Sequence, residues 1–210
     1  METTMKNENH AMTDCNCFPM RAGGRRLPLL LALLLVCVCA KGAVVPNDEL
    51  QLTLTAGWNW IGFIFLPTSH KVGDVLGKTG FTANDAIQTN NGSSRFTGAA
   101  WLPSNFALEY GKMYQVYVSN PVTVKVAGSA SGLTSLPVVV GWNWICNPTM
   151  TTVTPSQLTH SAGWTAGDRI QSTSGTVTYT GSKWLPSTGF VLEPSKGFQI
   201  YSAKVGTISF

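Results

Sequence analysis

The stretch Gly57-Trp58-Asn59-Trp60-Ile61 occurs a second time as Gly141-Trp142-Asn143-Trp144-Ile145. Another segment also returns, because Trp101-Leu102-Pro103-Ser104 is matched by Trp184-Leu185-Pro186-Ser187. The shared order of these matches indicates two copies of one module of about 80 residues. We therefore expect any function common to both copies to reside at matched positions.

Alternation of apolar and polar residues predicts strands in each copy. Leu50, Leu52 and Leu54 alternate with Gln and Thr, which is typical of a strand with one solvated face. The strand after Gly57 is apolar on both faces, which predicts a buried central strand. The tryptophans of both copies of this strand are therefore expected in the core: Trp58, Trp60, Trp142 and Trp144.

Short strands separated by polar turns predict an all-β fold made of two tandem, homologous β-sandwich or small-barrel modules. The predicted modules span residues 47–127 and 136–210. A linker rich in Gly, Ser and Ala joins them over residues 128–135. Single helical turns are expected at residues 72–76 and 155–158, and no longer helix pattern appears.

The beginning of the chain differs in kind from the repeats. Arg21, Arg25 and Arg26 precede an apolar run from Leu27 to Ala40, which predicts a signal peptide within residues 1–42 and a secreted protein. The run is shorter than the roughly 20 residues that span a bilayer. An uncleaved membrane anchor over residues 27–45 stays open as the alternative, and it would be the protein's only contact with a membrane.

Composition narrows the classes of partner. The formal net charge is +4, and Lys and Arg are scattered singly, so nucleic acid is not an expected partner. Four of the five cysteines lie in or before the apolar run. Cys146 replaces Gly62 of the first copy, which predicts a buried and inert thiol.

The repeated acids are Asp85 with Asp168 and Glu109 with Glu193. Two carboxylates across one cleft would suit a polysaccharide hydrolase, which is one alternative function. Turn chemistry favours structural roles for the aspartates instead. The histidines of the repeats, His70 and His160, do not align, so we expect no catalytic residue, no metal site and no cofactor.

Trp101 and Trp184 precede Leu-Pro-Ser in turn-rich segments, where an indole ring can lie exposed. Such a ring stacks on a sugar or anchors a protein partner, with Gln88 and Gln171 as expected polar neighbours. Packing in the core is the competing interpretation for both rings. Asn91-Gly92-Ser93 is an N-glycosylation sequon, which makes Asn91 a candidate glycosylation site in a eukaryotic host.

The repeated pattern Gly-Trp-Asn-Trp-Ile, Asp-x-Ile-Gln, Trp-Leu-Pro-Ser and Leu-Glu-x-x-Lys resembles tandem Gly-Trp-Asn modules in secreted and surface proteins of marine bacteria and unicellular algae. The resemblance covers most of the chain after Leu50 and implies an extracellular, β-rich accessory or adhesive module without catalytic residues. The second copy departs from the pattern at Cys146. It also departs from it at Asn147-Pro148, where the segment after the strand is shorter.

These observations predict a secreted or cell-surface, non-enzymatic protein that acts in adhesion or binds glycans or proteins. The polysaccharide hydrolase is one alternative, and a purely structural component of a wall or matrix is the other.

Overall fold

The computed structural model describes residues 48–210, and both repeats belong to one compact unit. The predicted signal peptide or anchor lies outside the described residues. The all-β class is confirmed. Among the described residues, no helix is both long and apolar enough to span a membrane.

Each repeat forms eight strands. The first copy contains β1 (Asp48–Leu54), β2 (Gly57–Gly62), β3 (Phe65–Leu66), β4 (Ala86–Thr89), β5 (Gly92–Phe96), β6 (Trp101–Leu102), β7 (Met113–Val118) and β8 (Val122–Ala130). The second contains β9 (Ser135–Val138), β10 (Gly141–Cys146), β11 (Thr159–His160), β12 (Arg169–Ser172), β13 (Gly175–Tyr179), β14 (Trp184–Leu185), β15 (Gly197–Ser202) and β16 (Gly206–Ser209).

The strands form four antiparallel sheets in a propeller-like ring, where the sequence predicted two sandwich or small-barrel modules. The five-stranded sheets have the same order in both copies, β2-β7-β4-β5-β6 and β10-β15-β12-β13-β14. A three-stranded sheet accompanies each, β1-β8-β3 and β11-β16-β9. Each pair of sheets encloses its own hydrophobic core. Strand β8 continues to Ala130 and so extends into the predicted linker.

The predicted helical turns are present, but they differ between the copies. Helix α1 (Val72–Leu76) buries Val72, Val75 and Leu76 in the first core. The second copy has only a 3-10 turn at Pro155–Gln157 in the comparable place. The second module therefore has no counterpart of the helix that packs on the first core, a difference that changes one site described below.

The asparagine of the repeated motif fixes the turn that leads into the strand. Asn59 Nδ2 donates to the carbonyl oxygens of Thr55 at 2.7 Å and Gly57 at 3.0 Å, and Asn59 Oδ1 accepts from the Thr55 N–H at 2.9 Å. Gly57 supplies the positive φ of 96° that the turn requires. Asn143 makes the same bonds to Val139 and Gly141.

This turn sets which side of the strand faces the core, and it overturns one prediction. Strands β2 and β10 each lie at one end of their sheet, not at its centre. Ile61 and Ile145 point inward and are buried, whereas the rings of Trp58 and Trp142 are 51% and 44% exposed. The prediction that the motif's tryptophans lie in the core was wrong, because alternation alone does not tell which of two apolar faces is covered.

The repeated aspartates fix a second turn, as predicted. Asp85 is buried and accepts the N–H groups of Thr82 and Ser119, each at 2.8 Å. Burial alone raises the pKa of the Asp85 carboxyl, but the hydrogen bonds from Thr82 and Ser119 outweigh it and hold the pKa below its ordinary value. Asp168 is also buried and accepts from Thr165 at 2.7 Å and Ala203 at 2.8 Å.

The two modules meet at the ends of strands β2 and β10, through contacts that repeat about a pseudo-twofold axis. The Gly62 N–H donates to the Ser195 oxygen, and the Cys146 N–H donates to the Gly111 oxygen, each at 2.9 Å. Isolated bridges join Ile61 to Lys196 and Lys112 to Ile145. These bonds cover the ends of two strands that are edges of their own sheets.

Side chains at this junction are complementary and not identical. Gly62 packs against Cys146, its own counterpart, and a Cβ on Gly62 would overlap the Cys146 side chain. Gly197 packs in the same way against its counterpart Met113. The prediction that Cys146 is buried is confirmed, and burial raises the pKa of its thiol to about 12. The reactive thiolate is therefore scarce at neutral pH.

We predict that Asn59→Ala lowers the free energy of unfolding by about 1–2 kcal/mol, because it removes the amide that joins both sides of the turn. Asn59→Asp keeps the acceptor for the Thr55 N–H but places a carboxylate oxygen against the carbonyl oxygens of Thr55 and Gly57, so its loss should be at least as large. Urea denaturation measures both. Equal stability of wild type and Asn59→Ala would show that the turn does not depend on the amide.

We predict that Gly62→Ala destabilises the protein by about 1–3 kcal/mol through overpacking against Cys146. The double variant Gly62→Ala/Cys146→Gly should recover most of the loss, because it moves the larger side chain across the axis. Gly73→Ala is the control, since the nearest atom to its added Cβ is 3.8 Å away. Thermal denaturation in which the double variant is no better than Gly62→Ala would contradict this packing.

Candidate functional site

The structure places Trp101 in the first core and not at the surface. Its side chain is 2% exposed, and its indole Nε1 donates to the Gly77 oxygen at 2.8 Å, just after helix α1. Phe81 and Phe96 pack on the ring with centroid distances of 5.0 and 5.3 Å. The expectation of an exposed ring at Trp101 was therefore wrong, because the helix and two aromatic neighbours cover it.

Trp184 occupies the matched position and is 6% exposed. Trp164 and Tyr179 pack on it, with centroid distances of 4.9 and 5.3 Å. Its expected exposure was also wrong. No helix covers Trp184, however. Its ring lines a cavity, and the contacts of Trp101 include no comparable cavity.

Gln88 and Gln171 lie on the opposite face of their sheets from these two tryptophans. Ile87, next to Gln88, points into the core with Trp101, so Gln88 points outward. Gln88 Nε2 donates to Gln115 Oε1 at 2.8 Å, and Gln115 lies opposite Trp60 in the sheet. The expected pairing of Gln88 with Trp101 and of Gln171 with Trp184 was wrong, since neighbours along a strand alternate between faces.

The outward glutamines instead border the tryptophans of the repeated motif. We define the aromatic face of module 1 as Trp58, Trp60, Tyr117, Gln115 and Gln88. Trp58 and Tyr117 make an edge contact with a centroid distance of 5.4 Å. The matched face of module 2 is formed by Trp142, Trp144, Tyr201, Gln199 and Gln171. Both copies thus present indole and phenol rings beside amide groups.

A cleft of about 400 Å³ lies between module 2 and the two tryptophans of the aromatic face of module 1. Trp58 and Trp60 form one wall, with Thr53 and Thr55 beside them. The facing wall comes from the turn at residues 172–174, which supplies hydroxyl groups, and from Val191, Glu193 and Lys196. Aromatic rings, hydroxyls and one charge of each sign therefore converge on a cavity of the size that binds small ligands.

The charged groups of the cleft differ from their counterparts in module 1. Lys112 and Glu109 form an ion pair with a distance of 2.6 Å between Nζ and Oε1. Within the part of the chain that the structure describes, Glu193 and Lys196 belong to no ion pair. The carboxylate and the ammonium group are therefore free to hydrogen-bond a ligand in the cleft.

The acids named for hydrolysis do not gather in this cleft. Asp85 and Asp168 are buried, and their oxygens already accept backbone hydrogen bonds. Glu193 is the one carboxylate among the described residues that line the cleft. A carboxylate pair across one cavity, which glycoside hydrolysis requires, is not assembled at this place.

Two further sequence features have clear positions. His160 is buried, and its ring nitrogens lie 3.1 Å from Ser202 Oγ and from the backbone nitrogen of Ala162, an arrangement that stabilises the second module. Asn91 lies in the exposed turn between β4 and β5, where an attached glycan would point into solvent.

The sequence pattern did not single out Trp58 and Trp60 as candidate site residues because their alternation placed them in the core. A signal for the opposite assignment is present in the motif itself. Asn59, between the two tryptophans, follows Thr55 by four residues, a spacing at which an Asn side chain can bond the preceding backbone. An inward Asn59 requires both neighbouring rings to face outward.

The chain matches no protein-family model, no curated protein and no solved structure. Its resemblance to tandem Gly-Trp-Asn modules therefore stays a prediction. The function proposed below is based on the geometry of the cleft.

Proposed function

We propose that this is an extracellular, non-enzymatic protein that binds glycans in the cleft between its two modules and acts in adhesion. The observation that carries the proposal is the pair of rings, Trp58 and Trp60, that forms one wall of the 400 Å³ cleft. A tryptophan ring offers a flat apolar surface that suits the apolar face of a sugar. The hydroxyls of the opposite wall suit the hydroxyls at the edge of the same sugar.

The remaining groups favour a saccharide over a purely apolar ligand. Glu193 accepts hydrogen bonds and Lys196 donates them, so the facing wall matches a ligand rich in both kinds of group. Only 11% of the residues are charged and the Lys and Arg residues of the repeats are scattered singly, so the repeats carry no basic cluster that would select a polyanion. The cleft is also built by both modules, which gives the tandem arrangement a direct role in binding.

A secreted location is part of this proposal. It is supported by the apolar run from Leu27 to Ala40 after three arginines. Tethering by residues 27–45 would serve adhesion equally well, because the cleft belongs to the repeats and not to the leader.

We predict that Trp60→Ala weakens glycan binding by about tenfold or more, because it removes a ring from the wall of the cleft. The first step is a glycan array with the purified protein, followed by calorimetric titration of the strongest neutral oligosaccharide. Trp58→Ala should also weaken glycan binding, but less than Trp60→Ala does, because the Trp58 ring is more exposed to water.

Trp142→Ala is the matched control, because Trp142 is the counterpart of Trp58 in module 2 and does not line this cleft. Its affinity should equal that of the wild type. Unchanged binding by both Trp58→Ala and Trp60→Ala would remove the cleft as the site. Absence of any binding on the array would favour a structural component instead, and release of reducing sugar would favour a hydrolase.

A further inference from the structure

The second module contains a cavity that the first module fills. It has a volume of about 380 Å³ and is lined by Trp164, Tyr179, Trp184 and Phe190, with Ser156 and Lys183 among its polar residues. In the first module helix α1 occupies the comparable place and buries Val72, Val75 and Leu76. The cavity exists because the second copy has only a 3-10 turn at Pro155–Gln157.

The same difference frees a hydrogen-bond donor. Trp101 Nε1 donates to the Gly77 oxygen at 2.8 Å, and Gly77 is the residue that ends helix α1. Trp184 has no such helix beside it. No hydrogen bond of the described residues starts from Trp184 Nε1, although the side chain is only 6% exposed. An unpaired donor at a site this buried is costly unless a ligand or water accepts from it.

The donor also keeps contact with open space. Among the described residues, two side-chain atoms are fully buried and have no hydrogen-bond partner, Thr165 Oγ1 and Ser195 Oγ. Trp184 Nε1 is not among them, so this nitrogen is not fully enclosed by protein. The cavity is the open space that Trp184 lines. By contrast, Trp164 Nε1 already donates to the Leu158 oxygen at 3.2 Å. The indole N–H of Trp184, unlike that of Trp164, therefore has no protein acceptor among the described residues.

We propose that this cavity is a second ligand site, which takes one neutral sugar residue and donates a hydrogen bond to it from Trp184 Nε1. The rings of Trp164 and Tyr179, both half-buried, offer apolar walls for the face of the sugar. Ser156 and Ser182 offer hydroxyls to its edge. Lys183 and the indole donor disfavour a cationic ligand.

The site is independent of the cleft between the modules. The two cavities share no lining residue, and this one is built by module 2 alone. It does not depend on whether the cleft binds a glycan. If both sites bind, one chain engages a polysaccharide at two points, which raises its avidity without new contacts.

The test is saturation-transfer NMR and titration of the full protein with a panel of neutral methyl glycosides. The wild type should bind at least one member. Trp184→Phe keeps an aromatic ring but lacks the N–H, and it should weaken binding by about five- to tenfold. Trp164→Ala removes a wall at a half-exposed position and should abolish binding even if Trp184→Phe folds poorly.

Melting temperatures distinguish a substitution that removes a contact with the ligand from one that removes a contact within the folded protein. Trp101→Phe should lower the melting temperature more than Trp184→Phe does, since only Trp101 has a protein acceptor. Trp142→Ala, whose ring lines neither cavity, should leave binding of the methyl glycoside unchanged. Absence of binding by the wild type to the whole panel, or full binding by Trp184→Phe and Trp164→Ala, would overturn the proposal.

Discussion

The amide of Asn59, with its counterpart Asn143, is the interaction on which the rest of the structure depends. It bonds both sides of the turn between β1 and β2, and so joins the three-stranded sheet to the five-stranded one. Because Asn59 must face inward to reach Thr55 and Gly57, its neighbours on the strand must face outward. The clamp thus orients both tryptophans toward solvent before any ligand is present.

The junction of the two modules depends on a difference between the copies. At the pseudo-twofold axis each residue meets its own counterpart, and identical side chains would either overlap or leave a void. Gly62 against Cys146 and Met113 against Gly197 solve this by pairing one glycine with one larger residue. The asymmetry makes the two copies non-interchangeable. The junction also places Glu193 and Lys196 in the same cleft as the Trp58 ring.

Much of the fold follows from sequence patterns. The repeat, the all-β class, the two helical turns and the turn-fixing role of Asp85 are encoded in local spacing and turn chemistry. The outward direction of Trp58 is not, because both faces of β2 are apolar and only long-range packing decides which one is covered. Trp101 and Trp184 illustrate the same limit: their covering groups, helix α1 and Trp164, lie far away in sequence. The ring arrangement of the sheets has no local signature.

The central claim is that the motif's asparagine directs its tryptophans outward to form a binding surface. Hydroxyl-radical footprinting of the native protein, read by mass spectrometry at each of the seven tryptophans, tests it most directly. The account predicts that Trp58 and Trp142 are oxidised several times faster than Trp101, and that Asn59→Ala changes the rate at Trp58 but not at Trp142. Protection of Trp58 and Trp142 equal to that of Trp101 would contradict it.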